Sequence, residues 1–200
     1  MKWNTKFSYP KSTRSLINGS RHYSLDGSNL PSVTTILSAT KSEEDKAAIL
    51  AWKQRVGTVE AERIKKEASA RGSSMHSYIE QFLYGKLNQE LLEDNNKSKK
   101  MAEEIIDNGL KNKLIEIWGS EATIYYPGKY AGTADCIGVY EGKESILDFK
   151  QSNKPKKEEY IEDYFLQIGA YSLAHNTVYN SNITQGVILL CTVDLSLIHI

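Results

Sequence analysis

Cysteine is nearly absent from this chain: among 200 residues only Cys136 and Cys191 carry a thiol. No disulfide framework, zinc ribbon or four-cysteine iron–sulfur cluster can be built from that pair, and both are expected as buried, reduced thiols. Long hydrophobic runs are missing too. No apolar stretch approaches the roughly 18 to 20 residues of a membrane span, and the N-terminus lacks the apolar core of a secretory signal, so an intracellular location without membrane association is expected. The chain has no net charge, with 25 basic against 25 acidic residues, which argues against indiscriminate nucleic-acid binding by bulk charge. It has no internal repeat, no low-complexity segment and no linker.

What is present suits one globular domain over residues 1–200: 40% hydrophobic and 25% charged content excludes disordered and collagen-like classes and suffices for one substantial core. Residues 1–25 hold five basic and no acidic residues, a faint transit-peptide pattern, but Trp3, Tyr9, Pro10 and Tyr23 suit an ordered edge better. Lysines cluster at 97, 99 and 100 and at 150, 154, 156 and 157. They offer a local basic rim, although Glu158, Glu159, Glu162 and Asp163 follow at once.

The periodicity predicts a helical portion over about 31–118. Ser32 caps a short helix carrying Val33, Ile36 and Leu37. Ser42 with Asp45 approximates a capping box before Ala48, Ile49, Trp52 and Val56. A long helix follows to about Phe82, with an interruption at Gly72. Residues 85–96 read as turn-rich, and 97–118 as helix through Met101, Ile105, Ile106, Leu110, Leu114 and Ile117. The period then changes to that of strands. Residues 121–126, 130–140 and 144–149, separated by Pro127-Gly128 and Glu141-Gly142, predict an antiparallel meander. Pro155 opens a helix to about Tyr179, and Gln185–Val193 reads as a buried strand. The fold class is α/β, with the sheet and its helix in about 119–200. The apolar end, Leu195 to Ile200, reads as a truncation.

One hairpin carries the chemistry. If Glu141-Gly142 is a two-residue loop, Tyr140 pairs with Lys143 and Asp135 falls opposite Asp148. Directly opposed side chains hold their Cβ atoms about 4.5 to 5.5 Å apart, where like charges repel; a divalent cation gripped by both would offset that. Relief of the repulsion predicts that Asp148→Ala costs little stability or even adds some. Lys150 lies on the same strand face as Asp148 and adds an ammonium. Two carboxylates suit Mg²⁺, which keeps several waters, and lysine suits charge developing on a phosphoryl group. Two surface aspartates with lysine partners are the plainer reading of such a pair, but the apolar flanks Ile146, Leu147, Phe149, Ala134 and Cys136 argue against it.

The ordered blocks Gly132-Thr133-Ala134-Asp135, Asp148-Phe149-Lys150 and Gln167-Ile168-Gly169-Ala170-Tyr171 resemble the PD-(D/E)XK nuclease superfamily in its RecB-like exonuclease branch. Upstream, Pro31 to Leu37, Trp52-Lys53-Gln54-Arg55, and Gly72 with His76 and Glu80 resemble the mitochondrial genome-maintenance exonucleases and their bacteriophage relatives, over roughly residues 31–192. The resemblance implies a restriction-endonuclease-like core of helix, three-stranded meander, helix and strand behind the helical N-terminal half, dependence on Mg²⁺ or Mn²⁺, and hydrolysis of DNA that is single-stranded or has free ends. It implies Asp135, Asp148, Lys150 and Glu121 as catalytic residues, with Glu121 holding a metal-bound water. The implied metal set is His76, Asp135, Asp148 and Phe149, with Gln167, Tyr171, Glu80 and Lys154 contacting DNA or supporting the site. Gln151 departs from the Thr that commonly follows the lysine.

Read without the resemblance, His76 shares a helix face with Ile79, Glu80 and Leu83 and suits a core histidine. Gln167 and Tyr171 lie one turn apart and suit packing, and Tyr125, Tyr126, Tyr130, Tyr160 and Tyr164 offer rings for unpaired bases or for rim packing. The expected function is a metal-dependent DNA exonuclease of replication, recombination or repair, working with proteins of those processes in the cytoplasm of a bacterial or phage-infected cell, with a mitochondrial location less favoured. A structure-selective endonuclease and a silent DNA-binding accessory protein are the alternatives.

Overall fold

The computed structural model describes residues 1–86, 96–157 and 160–200. Outside the described residues lie 87–95 and 158–159, and with them most of the expected turn-rich stretch and the acids Glu158 and Glu159.

The chain opens on strand β1 (Lys2–Trp3). The Trp3 indole N–H donates to the Leu83 carbonyl at 2.8 Å and its ring stacks on Tyr84, so the N-terminus is an ordered edge as expected. The next region corrects the expectation of a mainly helical first half. Strands β2 (Thr13–Ile17), β3 (Ser20–Leu25) and β4 (Ser28–Pro31) form a three-stranded antiparallel sheet. Its turns are Asn18-Gly19 and Asp26-Gly27, all four residues at positive φ, the geometry that two-residue hairpin loops require. Tyr23, Leu25 and Leu30 close over Ala131.

Helix α1 (Val33–Ala39) is capped by Ser32, which accepts the Thr35 N–H, and α2 (Glu43–Val56) by Ser42, which accepts that of Asp45, both as the sequence predicts. No residue of α2 is buried, so its apolar periodicity does not enter the core. Helix α3 (Thr58–Leu83) runs through Gly72 without the expected break; one glycine inside a helix costs only about 1 kcal/mol. Helix α4 (Lys97–Glu104) continues into a π-helical turn, Ile105–Leu110, and the helix ends there. Leu114 to Trp118, expected as helix, open strand β5 (Leu114–Tyr126). Register shifts between Leu114 and Glu116 and between Ile117 and Gly119 are the cause. Each bulge re-aims the following side chains, so Leu114 and Ile117 both reach the same core at a spacing that imitates a helix.

Strands β6 (Tyr130–Tyr140) and β7 (Lys143–Ser152) complete the expected meander. Helix α5 (Glu162–Tyr179) starts at Glu162 rather than at Pro155. It crosses to β8 (Gln185–Thr192), which runs parallel to β7, and β9 (Leu197–His199) pairs antiparallel with β8. The sheet order is β1-β5-β6-β7-β8-β9. Because strand side chains alternate, each inner strand feeds two cores. Cys136, Leu147, Phe149 and Leu189 meet Met75, Ile79, Met101 and Ile105 of α3 and its neighbours. Ile137 and Ile146 meet Tyr171, and Ile188 and Leu190 meet Ile168, on the α5 side. The fold is thus a mixed α/β arrangement with helices on both faces of a mixed sheet, plus the small antiparallel sheet. Both cysteines are buried and free. Among the described residues no helix is long and apolar enough to cross a membrane.

Candidate active site

The Glu141-Gly142 turn pairs Tyr140 with Lys143, and the ladder runs out to Cys136 opposite Leu147. Asp135 therefore falls opposite Asp148, the register read from the sequence. On the other side of β6, Ser120 pairs with Cys136 and Ala122 with Ala134, which sets Glu121 opposite Asp135. Carboxylates from adjacent strands β5, β6 and β7 thus form one row across the sheet.

The β6–β7 pairing ends at this row. In a continued ladder both polar groups of Phe149 would bond to β6. Instead its N–H donates to Asp135 Oδ2 at 2.7 Å, and its carbonyl lies 2.8 Å from His76 Nε2. The row opens the sheet and side chains fill the gap. Glu121 itself has φ 48°, a left-handed conformation that costs of order 1–3 kcal/mol outside glycine and gathers at functional sites.

His76 enters the gap from α3. A carbonyl only accepts, so Nε2 carries the proton donated to Phe149, and Nδ1 faces Asp135 Oδ1 at 3.6 Å and Glu121 Oε1 at 3.9 Å. Candidate ligand atoms of His76, Glu121 and Asp135 all lie within 4.8 Å of one another. Burial of the imidazole disfavours its charge, but Asp135 and Glu121 outweigh that and raise its pKa to about 9. Burial raises the Asp135 carboxyl to about 7, with His76 pulling it down and Asp148 pushing it up. Two carboxylates facing one nitrogen call for a positive charge between them, supplied by a proton or by a metal ion.

The second half of the row is organised from α5. Lys150 Nζ sits 2.5 Å from Asp148 Oδ2, a buried oxygen with no other partner among the described residues. Gln167 Nε2 donates to Asp148 Oδ1 at 3.1 Å and lies 3.3 Å from the Tyr171 hydroxyl. Burial lowers the Lys150 pKa, but Asp148 and Asp135 raise it further, so the ammonium form is held. Tyr171 packs so close to the β6 backbone that a Cβ at Gly132 would lie 2.5 Å from its ring; only glycine admits the ring there.

This geometry revises the expected site. Asp135 and Asp148 occupy the predicted row but not one grip: Asp135 clusters with His76 and Glu121, whereas Asp148 is neutralised by Lys150 and held by Gln167. The Phe149 carbonyl is engaged by His76. The expectation that Asp148→Ala costs little is corrected, because the buried Lys150 ammonium would lose its counter-ion. His76 faces the acids rather than serving only the core. Glu80 lines the same cleft as His76 and Glu121, and its carboxyl pKa is raised by burial and then by Glu121. Lys154 is not brought to the row: it is exposed, and its backbone bonds to Ser152.

Lys150 and Lys156 both lie over the Tyr164 ring, while Lys99 is buried beside Glu103, so the lysine clusters form no simple rim. Among the candidate stacking rings, Tyr125 packs on the small sheet's core and Tyr130 donates to the Ala170 carbonyl; Tyr160 is exposed.

Sequence reasoning missed several supports. Gln151 donates to the Ala68 carbonyl at 3.0 Å and accepts from Arg71 Nε at 2.8 Å, tying the end of β7 to α3. His175 links Tyr9, at 3.0 Å, to Ser181, at 2.7 Å, and burial lowers its pKa to about 4. Arg14 of β2 lines the cleft with His76 and Glu121.

A pH dependence follows for the metal-free protein. His76 rises from 6.5 to about 9 on folding, so the folded state binds more proton between those values and stability is lost as pH climbs through them. Asp135, raised from 3.8 to about 7, has the same sign at lower pH, where His175, lowered from 6.5 to about 4, opposes it. In EDTA the Tm is therefore expected to fall from pH 6.5 to 9, and His76→Gln to flatten that limb. An equally steep limb in the variant would remove His76 as its source.

The chain has relatives of named activity. The chain is 30% identical over 183 residues to mitochondrial genome maintenance exonuclease 1 of Xenopus tropicalis, covering 85% of this chain and 50% of that protein. The human protein of the same name is 29% identical over 187 residues and the mouse one 27% over 188. This chain is similar to those exonucleases. It spans about half the length of these curated relatives. No protein-family model matches. The expected cytoplasmic location in a bacterial or phage-infected cell is overturned by this finding, since the matched relatives are mitochondrial by name.

Proposed function

We propose that this chain is a metal-dependent deoxyribonuclease of the PD-(D/E)XK superfamily, RecB-like branch, acting as an exonuclease on single-stranded DNA or DNA ends in mitochondrial genome maintenance. The observation that carries the reading is the meeting of His76, Glu121 and Asp135 ligand atoms within 4.8 Å, one strand away from the Asp148–Lys150 pair. The similarity to exonucleases supports it independently.

The residues fit a hard divalent ion. The cluster offers two carboxylates and an imidazole nitrogen whose opposite nitrogen is fixed by a backbone carbonyl, the outer bond that orients a ligating histidine. His76, Glu121 and Asp135 would hold Mg²⁺ or Mn²⁺, which would polarise the scissile phosphate and acidify a water. The chain's own groups do the rest. Lys150 keeps its proton, so it serves as a fixed positive charge for negative charge developing on the phosphate, or to orient the attacking water, rather than as a proton acceptor. Asp148 aims that ammonium, and Gln167 fixes Asp148. Phosphodiester hydrolysis adds water across one P–O bond: the hydroxyl goes to phosphorus and the proton to the leaving sugar oxygen.

Labelled linear and closed-circular single-stranded DNA, with Mg²⁺, Mn²⁺ or EDTA, test the reading together. Linear strands are expected to be degraded from an end, circles to survive, and EDTA to stop the reaction. Cut circles would instead support the endonuclease reading. DNA binding without hydrolysis under any metal would support the accessory-protein reading.

A further inference from the structure

The face that the small antiparallel sheet turns toward the rest of the molecule is only partly covered. In the β2–β3 register Arg14 pairs with Tyr23 and Leu16 with Arg21. Residues two apart on a strand share a face, so all four project to the same side. Tyr23 is buried against Ala131, whereas Arg14, Leu16 and Arg21 are exposed. Arg14 borders a cleft of about 370 Å³ that also holds Ser73, Ser77, His76 and Glu121. Leu16 and Arg21 border a second cleft of about 650 Å³, together with Thr34, Thr35 and Ser38. The strip therefore leads from the acid row outward along the hairpin.

Like Arg55 of α2, the two arginines have unengaged guanidinium groups among the described residues, unlike the chain's other two. Arg63 is paired with Glu60 and Glu67, and Arg71 with Gln151 and Asn153. Among the described residues the guanidinium groups of Arg14 and Arg21 have no carboxylate, hydrogen-bond or ring partner. As diagonal neighbours on paired strands, Arg14 and Arg21 are spaced on the order of 7–8 Å, with their Cβ atoms somewhat closer, so two long side chains can reach successive phosphates of one strand. Guanidinium binds phosphate through paired N–H donors. Because the chain has no net charge, attraction of a polyanion has to be local, and this strip supplies it next to the row.

We infer that the β2–β3 hairpin is the arm that leads the substrate strand to the acid row, with Arg14 and Arg21 each holding a phosphate and Leu16 seating a base or sugar between them. This rests on the nuclease reading and adds where the strand runs.

The test is binding of a fluorescently labelled oligothymidylate to the full chain in EDTA, read by anisotropy over a range of NaCl concentrations. Each phosphate contact on a single strand contributes about 0.7 to the slope of log affinity against log salt. Arg14→Gln and Arg21→Gln are each expected to lower the slope by about that amount, and the double variant by about 1.4, with affinity at low salt falling tenfold or more. Lys111→Gln, at a surface pair with Asp107, serves as the control and is expected to keep the wild-type slope. A double variant with the wild-type slope overturns the inference, as does a control that loses as much, or a wild-type chain that does not bind. Cleavage by the wild type is scored separately: binding through the arginines without cleavage sinks the nuclease reading and leaves the arm, whereas cleavage with an unmoved slope sinks the arm alone.

Discussion

Lys150→Met is expected to lower DNA hydrolysis by at least about 10²–10³-fold, the loss typical of removing one preorganised charge from a site of developing negative charge, and to destabilise the fold as well. The second effect comes from Asp148. Its Oδ2 is buried and among the described residues meets only the Lys150 ammonium, at 2.5 Å, so methionine leaves a carboxylate unpaired in a low-dielectric setting, a change that costs about 3–5 kcal/mol. In a domain of this size that is a drop in Tm on the order of 6–20 °C. The two losses can be separated. Lys150→Met combined with Asp148→Leu removes both charges and is expected to recover most of the Tm but none of the activity. Lys150→Arg keeps the charge in a broader, planar shape; it is expected to fold better than the methionine variant and still turn over poorly. A Lys150→Met protein with wild-type melting and near-wild-type cleavage would remove the lysine from both roles.

The hairpin that carries this pair was the most legible part of the chain. A two-residue loop fixes register, so Glu141-Gly142 alone determines that Asp135 and Asp148 share a row, and the ladder obeys it out to Cys136 and Leu147. The Ser32 and Ser42 caps were legible for the same reason: each is a local contact over a few residues. The small sheet was equally signalled, by Asn18-Gly19 and Asp26-Gly27, yet its strands are short and polar on the outer face, so no hydrophobic run marks them. What could not be read was anything decided across the fold. The bulges of β5 let Leu114 and Ile117 mimic a helix. The positive φ of Glu121 has no sequence mark. Whether His76 belongs to the core or to the acids depends on where α3 crosses the opened ladder, and Gln151 gains its meaning only from Ala68 and Arg71. Sequence placed the carboxylates in one row; it could not divide them into a half gathered around His76 and a half held by Lys150.

That division sets up a second large effect, with opposite signs in stability and function. Asp135→Asn keeps an oxygen that can accept the Phe149 N–H, which Asp135 Oδ2 now takes at 2.7 Å, but removes a charge whose ionisation burial resists, raising the wild-type carboxyl to about 7. At pH 8 without metal, the variant is therefore expected to melt a few degrees above the wild type. If the cluster holds an ion as proposed, hydrolysis is expected to fall by about 10³-fold or more, because a charged ligand would be lost. The two proteins should also respond differently to added Mn²⁺. An ion that binds only the folded state at one hundred times its Kd stabilises by about 2.7 kcal/mol, so the wild-type Tm should rise on titration while that of Asp135→Asn stays nearly level. On the proposed reading, the cost of burying this charge is the usual trade of stability for activity. An Asp135→Asn protein that melts below the wild type in EDTA yet gains as much from Mn²⁺ would contradict both halves of this account.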